Sequence, residues 1–404
     1  MVESAGYSGI SGLHRGSRRH SILLSQTAVR IRPLDTLLSW SLRLAKALDR
    51  RTDKLGDIDP AAVRGVLLIS STALGDTVLS TAAFAPLRRR FPVARMVALI
   101  HAPYVPLFRH CVELDEVVPS RGAWRGFVGL VRRLRRERPD LALILHGNEP
   151  QATPLAYLAG ARWIVKLPNA SNPFRFLLAN REPPVAWAAL GHGLNQRLRT
   201  AELVGADVHG ARMTLPVPKA AVAAVDAFLA DGGLAGRRLI GFQCGASAAS
   251  RMWPAMHFAE LGRRLLASHA DAAIVLTGSP AERDYLENLC RDLGERCHVA
   301  CDLPIEALPA LIGRFDVLVS GDTGSMHVAV ATGTPTVCLF AVSDPATSGP
   351  AYDNGHDGRH IVIYHPCPDL AIGTKTADPR CIARIGVDEV LAAVEKQLAR
   401  ERTR

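Results

Sequence analysis

The chain has no uninterrupted apolar run near the roughly 18 residues that suggest a membrane span, so it is expected not to cross a bilayer. Aromatic residues are scarce, at 5%, while Ala, Leu and Val dominate a hydrophobic content of 48%. Repeated strand and helix layers suit that balance better than an all-β sandwich. Cys111, Cys244, Cys290, Cys297, Cys301, Cys338, Cys367 and Cys381 lack metal-ligand spacing and lie mostly in apolar contexts. This argues against a zinc site and predicts reduced thiols in a cytoplasmic enzyme. Cys367 and Cys381 flank a loop and are placed to approach one another, in a structural role if any. No G-x-G-x-x-G turn follows the first strand, which counts against an epimerase-like nucleotide-sugar enzyme. No repeat of short period is visible.

What is present begins with charge. The net charge is +10, carried largely by arginine, yet no RNA- or DNA-binding motif accompanies it, so nucleic acid is not the expected partner. Arg88, Arg89 and Arg90 form one cluster. A second runs from Arg125 to Arg138, where Phe127, Val128, Leu130, Val131 and Leu134 interleave with arginines in a helix that has an apolar and a cationic side. Its cationic side is either a solvated face or, through Arg132, Arg133 and Arg136, a surface for anionic headgroups or a phosphorylated acceptor. Residues 1–60 differ from the rest: a Ser/Gly/Arg-rich start, then a basic amphipathic helix from Thr36 to Leu48. Ser17-Arg18-Arg19 faintly resembles a twin-arginine signal, but the apolar stretch after it stops within a few residues and no cleavage pattern follows, so a disordered or membrane-touching extension, or a start codon assigned too early, is expected instead.

At 404 residues the chain exceeds one ordinary core and predicts two domains with a cleft between them. Strands are expected at 66–69, 96–100 and 141–145, with a helix from Thr77 to Arg90, which implies a parallel, doubly wound α/β sheet over 61–210. Prolines cluster between about 167 and 215. The alternation then restarts: strands at 239–243, 273–277, 317–320 and 336–340, helices at 254–268, 281–293, 305–313 and 325–332, giving a second doubly wound domain over 211–386. A terminal helix within 387–404 is expected to pack back across the structure.

Open parallel sheets bind ligands at the carboxyl ends of their strands, and four loops there carry chemistry. In Ser70-Ser71-Thr72-Ala73-Leu74-Gly75-Asp76, the carboxylate is either a helix N-cap or a general base facing the cleft. In Gly241 to Pro254, small residues let a phosphate approach the backbone, and Arg251 can neutralise it or be an ordinary surface arginine; Trp253 belongs to the core. In Thr277 to Glu282, the carboxylate of Glu282 either caps a helix or accepts bonds from ribose hydroxyls. In Asp322-Thr323-Gly324-Ser325-Met326-His327, the amides of Thr323 and Gly324 open a helix and favour an anion, which leaves Asp322 and His327 to read the attached sugar.

On these residues the chain resembles glycosyltransferase family nine, the ADP-heptose:lipopolysaccharide heptosyltransferases. The resemblance rests on Leu74-Gly75-Asp76, Arg251-Met252-Trp253-Pro254, Gly278-Ser279-Pro280-Ala281-Glu282 and Asp322 to His327, followed by Pro335 and Leu339-Phe340. It implies a GT-B fold with acceptor on the first domain and nucleotide sugar on the second, and inverting transfer without a metal or other cofactor. By matching motif, Asp76 is the base, Arg251 a phosphate ligand, Glu282 a ribose ligand, and Asp322, Thr323, Gly324 and His327 the diphosphate-sugar site. It also implies ADP-heptose as donor, an anionic glycolipid or glycan acceptor, and a cytoplasmic monomer peripheral to the inner face of the inner membrane. The chain departs from the family pattern with Arg251 for Lys, Ala82 for Pro and Ala341 for Gly. A different nucleotide sugar, a protein acceptor, or a non-catalytic nucleotide-sugar-binding protein are the alternatives. Asp76 speaks against the last, since donor binding needs no carboxylate on the opposite domain.

Overall fold

The computed structural model describes residues 33–49, 53–122, 124–146, 150–167, 172–185, 187–351, 358–367 and 379–401. The Ser17-Arg18-Arg19 motif and the start of the basic extension lie outside them. A first helix, α1 (Pro33–Leu48), precedes a five-stranded parallel sheet built from β1 (Gly65–Ser70), β2 (Arg95–His101), β3 (Glu116–Ser120), β4 (Leu141–His146) and β5 (Trp163–Val165), in the order β3-β2-β1-β4-β5. Around it lie α2 (Leu74–Thr81), α3 (Phe84–Arg90), α4 (Val105–Phe108), α5 (Phe127–Arg136), α6 (Ala152–Ala159) and α7 (Gly193–Glu202).

The second sheet comprises β6 (Arg238–Gln243), β7 (Ala272–Thr277), β8 (Cys297–Ala300), β9 (Val317–Gly321), β10 (Thr336–Phe340) and β11 (His360–Tyr364), in the order β11-β10-β9-β6-β7-β8. Its helices include α8 (Lys219–Asp231), α9 (Ala255–Ser268), α10 (Arg283–Leu293), α11 (Leu308–Ile312) and α12 (Gly324–Thr332), and a terminal helix, Val387–Glu401, packs on α9, β9 and β10. Every pairing between these strands is parallel. The strand order reverses beside β1 and β4 in one sheet and beside β6 and β9 in the other. Those switch points open the crevices in which such sheets bind ligands.

β1, β4, β7, β9 and β10 are buried along their whole length and β2 and β6 in all but their end residues, as the apolar runs predict for strands covered on both faces. The expected helix from Thr77 to Arg90 is instead two, α2 and α3, broken at Ala82-Ala83. Pro86 lacks the N–H that would bond to the Ala82 carbonyl, so a continuous helix would lose that bond and meet the proline ring. One cysteine expectation also fails. Cys367 and Cys381 are joined in a disulfide, their Cα atoms 5.5 Å apart, while the other six are free thiols. Fourteen positions of chain separate the pair, and the fold brings the loop's two ends within bridging reach.

A single apolar cluster runs through both sheets. Val78, Leu79 and Leu87 from the first half share it with Val328, Ala329, Leu311 and Phe315 from the second. The two halves therefore meet through α2 and α12, which pack directly on each other.

Candidate active site

Asp76 stands in the first turn of α2, and it is not the N-cap; that position belongs to Ala73, which makes no side-chain cap. The β1 end is pinned to this helix by hydroxyls: Ser70 Oγ lies 2.9 Å from Ser80 Oγ, and Thr77 Oγ1 donates to the Ser70 carbonyl at 3.2 Å. The carboxylate is thereby free of backbone duty and is held by side chains from three elements. Thr72 Oγ1 donates to Oδ2 at 3.0 Å, Arg197 Nη2 of α7 to Oδ1 at 3.0 Å, and His146 Nε2, at the end of β4, stands 3.2 Å from Oδ2. Arg197 also donates to His146 Nδ1 at 2.6 Å and to the Gly193 carbonyl at 2.9 Å. Because Nδ1 accepts, Nε2 of a neutral His146 carries the proton and donates it to Asp76.

Burial works to raise the Asp76 pKa, but His146, the Arg197 guanidinium and the Thr72 hydroxyl outweigh it and hold the carboxyl below its ordinary range. Burial and the neighbouring Arg197 push His146 down to about 4, so the ring is neutral near pH 7. Asp76 keeps 28% of its side chain exposed. A carboxylate offers about four lone-pair sites, and these partners occupy three, two on Oδ2 and one on Oδ1. One lone-pair site on Oδ1 is left without a partner among these side chains.

Across the seam stands α12. Its N-cap is Thr323, which makes no side-chain cap, so the first-turn amides keep their donor capacity toward an anion. Ser320 Oγ lies 2.9 Å from Thr323 Oγ1, and Ser325 Oγ donates to Gln243 Oε1 at 2.7 Å. Gln243 also accepts from Thr277 Oγ1 at 3.0 Å, so one amide at the end of β6 ties together the ends of β6 and β7 and the start of α12. His327 is buried, its Nδ1 without a hydrogen-bond partner, and burial holds its ring down to about 4. A methyl group at Gly75 would lie 2.7 Å from His327 Cδ2, and one at Gly324 would lie 2.8 Å from Leu74 Cβ. Only glycine at both places lets the two helix starts come this close.

Arg251 Nη1 lies 3.2 Å from Asp322 Oδ2, which also accepts from Ser343 Oγ at 2.6 Å. Burial raises the Asp322 pKa despite both partners. Glu282 forms the capping box that the Ser279–Glu282 spacing suggests: Ser279 N and Oγ both donate to Oε2 at 2.7 Å. Its Oε1 fills the space beside Gly245, where a methyl group would collide with it. The room that the small-residue loop promised to a phosphate is, at Gly245, taken by this carboxylate. Trp253 is core, as expected, with Nε1 donating to the Ile385 carbonyl at 3.0 Å.

The structure thus gathers Asp76, Arg251, Asp322, Thr323, Gly324 and His327 at the switch points of the two sheets, with Glu282 at the end of β7. It does not bring Arg132, Arg133 and Arg136 there. They ride on α5, and Arg133 is engaged by Glu137 and, at 3.3 Å, by Glu116, in a cluster that Arg95 completes. Thr72, His146, Arg197, Gln243 and Ser343 were missed. His146 and Gln243 carry a signal in retrospect, each being the polar residue that ends a buried strand; Arg197, inside a helix, carries none. Among the described residues no group of three His, Cys, Asp or Glu could hold a metal ion.

A model of glycosyltransferase family 9 (heptosyltransferase) matches residues 128–365, more than half of the chain. The lipopolysaccharide heptosyltransferase 2 of Salmonella typhimurium is 26% identical over 320 residues, covering 74% of this chain and 89% of that protein. The lipopolysaccharide heptosyltransferase 1 of Pseudomonas aeruginosa is 24% identical over 339 residues, covering 78% and 88%. Among solved structures, a family 9 glycosyl transferase from Veillonella parvula superposes with a TM-score of 0.73 at 20% identity, covering 85% of this chain and 99% of that one. The ADP-heptose lipopolysaccharide heptosyltransferase II of E. coli does so with a TM-score of 0.67 at 21% identity, covering 84% and 99%. The two parallel-sheet domains form a GT-B fold.

Proposed function

This chain belongs to glycosyltransferase family 9, the heptosyltransferases, and from that premise we propose that it moves heptose from ADP-heptose to a lipopolysaccharide-type acceptor by inverting, metal-free displacement. The observation that carries the reading is the opposition of Asp76, on the first domain, to the α12 start and His327, on the second. The acceptor hydroxyl gives its proton to Asp76 Oδ1 as its oxygen bonds to the anomeric carbon. The bond from that carbon to the diphosphate oxygen breaks, and ADP leaves with the electron pair. Its developing charge meets the amides of Thr323 and Gly324 and the Arg251 guanidinium, placed before the reaction begins. Arg251 exchanges part of its pairing with Asp322 for the phosphate, and His327 Nδ1 gains the partner that it lacks. Glu282 serves the ribose through Oε1, since Oε2 is committed to the capping box.

A depressed pKa makes Asp76 a weaker base but keeps it ionised wherever the enzyme works, and general-base catalysis needs the ionised form. Asp76→Ala is expected to leave ADP-heptose affinity nearly intact and to lower kcat by about 100- to 10,000-fold. Unchanged turnover would remove Asp76 from the role. A thermal-shift panel of nucleotide sugars tests the donor, since a ligand at about 100 times its Kd stabilises by roughly 2.7 kcal/mol. A larger shift with another sugar nucleotide would displace ADP-heptose. We place the enzyme as a monomer on the cytoplasmic face of the inner membrane, where a lipid-borne acceptor is presented.

A further inference from the structure

The α1 helix has two apolar sides, and among the described residues only one is packed against the protein. Leu42 is buried and Leu38 half-buried in the core layer beneath α5 and α6. Polar contacts fix the rotation of the helix: the Arg43 guanidinium lies 4.3 Å above the Phe176 ring, and Lys46 Nζ lies 2.9 Å from Asp53. Away from the core, Leu37, Trp40, Leu44 and Leu48 are 67%, 71%, 64% and 73% exposed. At 100° per residue these four fall within about 80° of the helix circumference, in a stripe about 16 Å long. Single exposed apolar residues are ordinary on a protein surface; four large ones in register are a contact surface.

We propose that this stripe docks the enzyme on a bilayer bearing anionic phospholipid, with α1 lying flat in the boundary between headgroups and acyl chains. Charge selects the occupant. Arg43 is exposed on α1 and covers Phe176, whose chain neighbour Arg175 is also exposed, and Arg181, 59% exposed, pairs with Asp53, the partner of Lys46 in the last turn of the helix. The carboxylate of Asp53 is already matched by Lys46 and Arg181, and Asp49 accepts from Tyr157 Oη at 3.4 Å. On the same side of the sheet, α5 presents Arg132 and Arg136 to solvent. A second copy set against this surface would bring arginines against arginines, whereas an anionic headgroup layer matches them. An apolar stripe with Trp and basic flanks is the make-up of a helix that lies in the interface, and among the described residues no helix is long and apolar enough to cross. The inference rests on the proposed function only in taking the acceptor to be lipid-borne.

The test is flotation of the full chain with phosphatidylcholine vesicles, with and without phosphatidylglycerol, and no acceptor present. Wild type is expected to float with the anionic vesicles, and Leu37→Ser/Leu44→Ser to float about tenfold less. The double variant should keep its melting temperature and its transfer rate to a delipidated acceptor, because both side chains are already exposed. Tryptophan emission should shift to the blue on vesicle addition in wild type and not in Trp40→Phe. Equal flotation of the double variant, or equal flotation of wild type on phosphatidylcholine alone, would overturn the proposal. So would light scattering that shows a dimer dispersed by the double variant. Absent transfer with flotation intact would strike the proposed function and leave this inference standing.

Discussion

Arg197 shows how one residue can set the working state of another. It is fully buried, and burial lowers its pKa against the opposing pull of Asp76, while its second bond fixes the tautomer of His146. Removing it leaves a carboxylate in a largely dry site with its permanent counter-charge gone. Arg197→Met is therefore expected to destabilise the protein by about 3–5 kcal/mol and to move the acid limb of the kcat/KM profile to higher pH, as the Asp76 pKa rises. Urea unfolding and a pH–rate series check the two effects separately. A loss of stability with an unmoved acid limb would make Arg197 a packing residue alone. Arg251→Ala acts on a different quantity: ADP binding should weaken in a calorimetric titration while Asp76 keeps its titration, because Arg251 pairs with Asp322. Equal ADP affinity would take Arg251 out of the phosphate site.

The elements divide cleanly by how much of themselves they show in sequence. Each core strand expected from an apolar run is present within two residues of its predicted limits. The strands not foreseen, β3, β5, β8 and β11, are the edge strands of the two sheets. An edge strand is covered less fully and tolerates residues that a central strand rejects, such as Glu116 and Pro119 in β3, so its apolar signal is diluted. The same logic governs the site. Loops after central strands were legible because the topology directs ligands there, whereas Arg197 depends on how α7 lies across β4, which no local pattern encodes. Thr72 and Ser343 are short hydroxyl residues of the kind found in any loop. Helix packing gives the prediction at this scale. A methyl group at Gly324 would press on Leu74 and force α2 and α12 apart, so Gly324→Ala should cost about 1–3 kcal/mol and lower kcat more than it weakens ADP binding. Unaltered stability would mean that the two helices can part freely.

For the molecule as a whole, the buried histidines set the response to acid. His146 and His327 are each held down to about 4, against 6.5 when unfolded. Between those values the unfolded chain binds more protons, so stability falls as pH drops from about 6.5 towards 4, by on the order of 3 kcal/mol for each ring. Asp76, held low, adds a loss at still lower pH, as the carboxyl is protonated. Asp322, held high, acts in the opposite sense, its contribution being lost as pH rises. Melting temperature is expected to fall from pH 7 to pH 5, and His327→Gln to flatten that fall; a flat wild-type profile would refute the assignment. The core that passes from one sheet to the other carries a mechanical consequence. The glycine-lined seam of α2 and α12 works as the rivet of a pair of pliers, set beside the cutting edge. Any rocking of the halves about it would part the cleft farther from the seam while leaving the Asp76 and His327 backbones near one another.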